Sequence, residues 1–251
     1  MSTLDRTAPL VEANLRLFAR DPGPLVGRII QPVLSLLILQ RLYVVALGSE
    51  AEGTAQVVLG YLVLFSLLGT SIVGNAILTD RRWNTFNRLR SSPLHPAELL
   101  LGKAIPILLF ILAQQAVLFT LGIAVLGLRV DSYGLLLIAD VVWAIAVLCL
   151  GIAIAVLVRS FAQLSAIIDI GASICTGLGG GLVPLTVMPF WVRQLAPLSP
   201  AFWAMRGLHG ALSAQPTITL TSSAVLAGMA AICIAIAGYR LRRGWGRDTL
   251  L

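Results

Sequence analysis

Charge is scarce in this sequence. Of 251 residues only 12% are Asp, Glu, Lys or Arg, against 58% hydrophobic, and the mean hydropathy is +0.92. Such a balance lies far outside that of a water-soluble domain and points to an integral membrane protein. Cysteine is almost missing: Cys149, Cys175 and Cys233 stand singly in apolar stretches with no C-x-x-C spacing. They are expected to be small buried hydrophobes, not a disulfide framework or a metal site. Histidine is limited to His95 and His209, which the topology derived below puts on opposite sides of the membrane, so neither a two-histidine metal site nor a catalytic constellation is expected. No polar segment approaches the ~50 residues of the smallest common domains, which leaves no room for a nucleotide-hydrolysing domain. The stretch "GLGGGLVP", 177–184, lacks the lysine and hydroxyl of a phosphate loop and has no strand before it. Its glycines are expected to allow close helix approach and a break before Pro184.

What the chain does have is apolar length. A hydrocarbon core of roughly 30 Å needs about 20 apolar residues in a helix, and six stretches meet that requirement: 29–47, 56–78, 99–126, 135–158, 164–183 and 220–239. The segment 184–216 is apolar but broken by Pro184, Pro189, Pro197, Pro200 and Pro216, so it reads as short helices at or dipping into one membrane face. The first residues hold Arg16 and Arg20 among Leu15, Leu17 and Phe18 and form no signal-like apolar core. Insertion is expected to rely on the spans themselves. The expected fold is an all-α membrane bundle forming one transmembrane domain over 1–251. It comprises a cytoplasmic amphipathic segment over 1–28, a cytoplasmic loop over 79–98 and an outward re-entrant segment over 184–216.

Basic residues set the orientation, because loops on the cytoplasmic side hold the excess. Arg6, Arg16, Arg20 and Arg28 precede the first span; Arg81, Arg82, Arg88, Arg90 and Lys103 follow the second; Arg159 follows the fourth; Arg240, Arg242, Arg243 and Arg247 follow the last. Only Arg41, Arg129, Arg193 and Arg206 fall at or near the other side. Both termini are therefore expected in the cytoplasm; arginine outnumbers lysine 17 to 1, which suggests a GC-rich bacterial genome and places the chain in a bacterial cytoplasmic membrane. The formal net charge of +7 follows from this bias and from attraction to anionic headgroups; nucleic-acid binding is not expected.

The longest polar interruption is "DRRWNTFNRLRSSPLHPAELLLGK", 80–103. Asp80 is placed to cap a helix that carries Trp83, Phe86 and Leu89 on one face and arginines elsewhere, ending before Pro93. A plain orientation anchor and a docking surface both fit that pattern. Residues 5–20 read as a second amphipathic helix, able to anchor in the interface or to touch the same partner.

These residues resemble the type-2 ATP-binding-cassette (ABC) membrane domains of bacteria, drug and antibiotic exporter permeases in particular. In that family an acidic-basic opening precedes G-T-L-E-x-L-x-x-(T/S)-P, and E-L-L-x-G-K follows. Here the loop reads "DRRWNTFNRLRSSP" and then "AELLLGKAIP". "RDPGPLVGRIIQPVLSLLI" from Arg20 is similar to the family's entry into its first span, and "GLVPLTVMPFWVRQLAPLSPAFWAMRGLHGAL" from Gly181 to its outward segment. The loop departs at Asn84 and Asn87, where the family often has glycine and glutamate, so a salt bridge made by that acid is not carried over. The resemblance implies a non-catalytic permease subunit that moves amphipathic drug-, lipid- or glycolipid-like compounds. It also implies a pair of ATPase subunits that bind ATP and Mg, and a second permease copy, alike or different. Arg81, Arg82, Trp83, Phe86, Arg88, Leu89 and Arg90 would then form the helix that couples to the ATPase. The competing expectation is an ion- or proton-coupled transporter acting alone, with Asp140 and Asp169 as relays.

Polar residues inside the spans complete the candidates. Arg41, Asn75, Asp140 and Asp169 are possible pathway or structural groups, and Arg41 and Asp140, both toward the outer side, are placed to pair or to snorkel. Asp169 fits either pathway lining or a buried hydrogen bond. Gln31, Gln40, Gln114 and Gln115 are expected to join helices. Phe190, Trp191, Phe202 and Trp203 suit an interfacial aromatic belt or, more sharply, an outward gate for amphipathic substrate.

Overall fold

In a computed structural model of the chain, the structure describes residues 23–82 and 96–242 together with Val11, Glu12, Asn14, Arg16 and Arg20; within these, the side chains of 24, 25, 80–82, 96–101, 241 and 242 are not described. Apolar runs too long for a soluble element become helices, and the elements are α1 (Gly23–Leu47), α2 (Glu50–Arg82), α3 (Pro96–Ala124), α4 (Tyr133–Leu157), α5 (Phe161–Leu178), α6 (Phe190–Leu195), α7 (Pro200–Leu212) and α8 (Pro216–Arg242). Single 3-10 turns at Leu185–Val187 and Ala196–Leu198 flank α6. Among the described residues α1 to α5 and α8 are the six helices long and apolar enough to cross a membrane.

Proline and glycine punctuate these helices where their backbone chemistry requires. Pro200 and Pro216 begin α7 and α8, where the missing N–H has no intrahelical partner to lose. The fifth helix stops at Leu178, five residues before the expected end at 183. Gly180 adopts φ +82°, and the Gly180 and Gly181 N–H groups donate back to the carbonyl oxygens of Gly177 and Thr176. This is a Schellman cap, which a left-handed glycine makes cheap. At the start of the chain the difference runs the other way: α1 begins at Gly23, so Arg28, assigned from sequence to the segment before the membrane, is a helical residue of the first span.

The bundle is organised around α2 and α4, the two most buried of the long helices. α1, α3 and α5 all run opposite to α2. Gln40 meets Thr54 and Arg28 meets Ser71; Gln115 meets Ser66; Gly74 abuts Leu164, while Gln56 meets Gly180. The strongest association is between α4 and α8, and α7 lies across both. Its seam with α8 is close: the Thr219 hydroxyl donates to the Gly207 carbonyl oxygen at 3.2 Å. Trp143, Leu59, Leu62, Ile107, Ile111, Leu118 and Leu208 are among the fully buried side chains that fill the middle. The 48–49 turn, the 125–132 link and the 179–215 segment share one end of the bundle, here the distal end. The 158–160 connection, the C-terminal end of α2 and the start of α3 share the other, the proximal end.

Candidate functional site

At the proximal end the sequence singles out residues 79–98. A separate helix capped by Asp80 does not start there: α2 continues unbroken through Asp80 to Arg82, because nothing from Leu78 to Arg82 is a glycine or proline that interrupts the hydrogen-bond ladder. Arg81 and Arg82 therefore form the end of a 33-residue helix. Trp83, Phe86, Arg88, Leu89 and Arg90 lie outside the described residues. Of the amphipathic segment 5–20, the described residues are helical; Arg16 pairs with Glu12, and the Asn14 amide donates to the Gly102 carbonyl oxygen of α3 at 3.3 Å.

A band of polar contacts runs from the proximal third of the bundle to its middle. The Arg28 guanidinium donates to the Leu68 carbonyl oxygen at 2.9 Å and to the Ser71 hydroxyl at 2.6 Å, tying α1 to α2. Gln114 of α3 donates to the backbone oxygen of Arg28 at 3.2 Å. Gln115 reaches the Ser66 hydroxyl at 3.1 Å, so both glutamines join helices, while Gln31 is exposed. Asp169 of α5 is within Coulombic reach of Arg28 but forms no ion pair with it, and its side chain is exposed on the chain's surface. Within the single chain it therefore makes no buried hydrogen bond. Asn75 is likewise exposed, on the proximal part of α2.

Asp140 and Arg41 do not pair. Asp140 is buried in the bundle, its Oδ1 without a hydrogen-bond partner, whereas Arg41 is exposed on α1. The reason is rotational: α4 is surrounded by α2, α3, α7 and α8, and Asp140 lies on the face that packs inward. Trp143, one turn on, is buried with an unpartnered indole N–H.

The glycine-rich turn dominates the distal end. Gln56 of α2 donates to the carbonyl oxygens of Gly180 and Gly181 at 2.7 and 3.1 Å, and Tyr43 of α1 donates to that of Leu182 at 2.6 Å. A Cβ on Gly60 would overlap the Gly181 carbonyl oxygen, so α2 and the turn touch backbone to backbone. Carbonyls of a non-helical turn held away from water need donors, and these two side chains supply them. Neither Tyr43 nor Gln56 stood out in the sequence; the signal for Gln56 was its place one helical turn before Gly60.

The four aromatic residues assigned to the distal segment divide into two pairs. Phe190 and Trp191 are 70% and 61% exposed on α6. Phe202 and Trp203 are half-buried on α7, edge to face at 5.2 Å. Trp203 is further held by a 2.9 Å hydrogen bond to the Pro197 carbonyl oxygen and by Arg206 at 5.6 Å from its ring. No ring contact joins the pairs among the described residues.

Comparison with known proteins agrees with this architecture. The chain is 26% identical, over 92% of its length and 87% of the relative's, to a probable doxorubicin resistance ABC transporter permease protein, DrrC, of Mycobacterium tuberculosis. It is 25% identical, over 78% of its length and 51% of the relative's, to the linearmycin resistance permease protein LnrN of Bacillus subtilis. Residues 8–212 match the family model described as ABC-2 type transporter, and with six apolar crossing helices in one bundle the chain belongs to that family of membrane permeases.

Proposed function

We propose that this chain is the permease subunit of an ATP-driven exporter of amphipathic compounds, working as a pair of permease copies on a pair of separate ATPase subunits that bind ATP and Mg. The observation that carries the reading is the family match across 8–212, which spans the crossing helices α1 to α5 and the polar loop 79–98 together. Likeness over most of both chains to a permease named for doxorubicin resistance supports export of amphipathic molecules. The arginine bias puts both termini and the 79–98 loop in the cytoplasm. Residues 184–216 then lie on the outer side, with Phe190 and Trp191 in the outer interface.

The mechanical element in this reading is α2. Its 33 residues make a rod about 50 Å long. One end runs into the 79–98 loop, where Trp83, Phe86 and Leu89 would anchor in a pocket of the ATPase while Arg81, Arg82, Arg88 and Arg90 contact carboxylates. The other end carries Gln56 and Gly60 against the 180–182 turn. Closure of the ATPase pair around ATP pushes the loop, and a helix without an internal break passes the displacement to the distal turn.

The test is co-expression with candidate ATPase subunits. An ATPase is expected to co-purify with the wild-type chain, and Trp83→Ala with Phe86→Ala should abolish export while leaving the spans folded. Normal export by the double variant overturns the coupling assignment. Substrate flux from liposomes holding the purified chain alone, driven by a pH gradient, overturns the ATP-driven reading.

A further inference from the structure

α1 and α5 both pack against α2 and run in the same direction, opposite to it. Arg28 lies in the second turn of α1 and Asp169 in the third turn of α5, so the two charges sit at similar depth beside α2, about 12 Å along the axis from the start of α5 in the case of Asp169. They do not neutralise each other by contact. The guanidinium is committed to Leu68 and Ser71, and among the described residues the Asp169 carboxylate makes neither a hydrogen bond nor an ion pair. The Ser173 hydroxyl donates to the Asp169 backbone oxygen, not to the side chain. Asp169 is thus an exposed acid in the interior of a membrane-crossing helix, flanked by exposed Ile170, Ser173 and Ile174.

Three surroundings compete for that acid. Lipid tails are excluded by cost, since a charge at this depth faces protein or a water-lined path. A second copy of the chain packing by the same face brings Asp169 toward its own equivalent, which adds a like charge in place of a counter-ion. An organic cation with an apolar body satisfies both requirements: its charge pairs with the carboxylate, and its body lies on the isoleucines. At the distal end the Tyr43–Leu182 and Gln56–Gly180 bonds join α1 and α2 to the turn after α5, whereas Asn75 and Thr79 are exposed toward the proximal end.

We infer that Asp169 is the group by which this permease recognises the positive charge of amphipathic organic cations between α1 and α5. The inference rests on the exporter reading for its purpose but is tested by binding alone. The full chain is purified, placed in lipid nanodiscs without an ATPase, and titrated by fluorescence anisotropy with rhodamine 6G, an amphipathic cation, and Nile red, a neutral amphiphile, with empty nanodiscs as the blank. Asp169→Asn is expected to weaken rhodamine 6G binding about tenfold or more, as loss of a charge-assisted contact does, and to change Nile red binding by less than about twofold. Asp169→Glu, which keeps the charge, should bind the cation near wild-type affinity and guards against misfolding of the first variant. Three results overturn the inference: no rhodamine 6G binding by the wild type above the blank, unchanged binding by Asp169→Asn, or equal weakening of both dyes. An absent ATPase partner or absent export would sink the exporter reading and leave this readout untouched.

Discussion

The Tyr43 hydroxyl lies 2.6 Å from the Leu182 carbonyl oxygen and donates to it, across 139 residues of sequence. This bond fastens the distal end of the first crossing helix to the turn after the fifth. Tyr43→Phe keeps the ring and removes the donor. The expected cost is about 1 kcal/mol, read as a fall of about 2–4 °C in the thermal unfolding midpoint of the detergent-solubilised protein. An unchanged midpoint would show that the bond contributes no stability.

Gly60 is a packing requirement. Because a Cβ there meets the Gly181 carbonyl oxygen, Gly60→Ala must push α2 and the turn apart and disturb the Gln56 hydrogen bonds. A loss of about 1–3 kcal/mol is expected. Gly171→Ala, whose Cβ meets nothing within 4 Å, should leave the midpoint unchanged or slightly raised. Equal effects from the two substitutions would contradict the close approach.

Arg28 joins α1 to α2 through a carbonyl and a hydroxyl in the membrane interior. Arg28→Met retains the length of the side chain and loses both contacts, at about 2 kcal/mol or more. Limited proteolysis in nanodiscs should then cut faster at the first turns of α1 as its proximal end loosens. The same cleavage rate as wild type would mean that apolar packing alone holds the helix.

His209 supplies a pH dependence. It lies on α7, outside the crossing helices, and burial pushes its imidazole below the ordinary value of 6.5. The folded chain therefore keeps the neutral form at pH values where the unfolded chain has already taken a proton. Stability is full above about 6.5 and declines as the pH falls through that value. His209→Gln should flatten this part of the curve, seen by comparing thermal midpoints at about pH 7.5 and pH 5. Parallel curves for the variant and the wild type would assign the acid sensitivity to other groups.

Much of the architecture was legible from composition. The six crossing helices follow from apolar length, and the breaks around α6 and α7 follow from Pro184, Pro189, Pro197 and Pro200. The motif around 80–103 with its two companions pointed to the family that the match over 8–212 shows. The boundaries were less legible. Arg28 reads as a loop cation because hydropathy averages over neighbours, yet it enters the first helix once Ser71 and the Leu68 carbonyl accept its protons. Asp80 reads as a cap because it precedes an amphipathic run, yet the helix before it never stopped.

Sequence by itself determined that this chain carries six stretches long and apolar enough to cross a membrane, where proline and glycine interrupt it and which family it joins, because each of those depends on the chemistry of neighbours along the chain. Tertiary structure alone decided which polar groups meet. Asp140 and Asp169 are both single acids in apolar helices, and nothing local distinguishes them. The rotation of α4 turns one into the bundle, and the position of α5 at its edge leaves the other exposed beside Arg28. The same holds for Tyr43 and Leu182 and for Gln56 and Gly180. Their pairing requires a register between helices far apart in sequence, which is fixed by packing along α2 and not by any short stretch of residues.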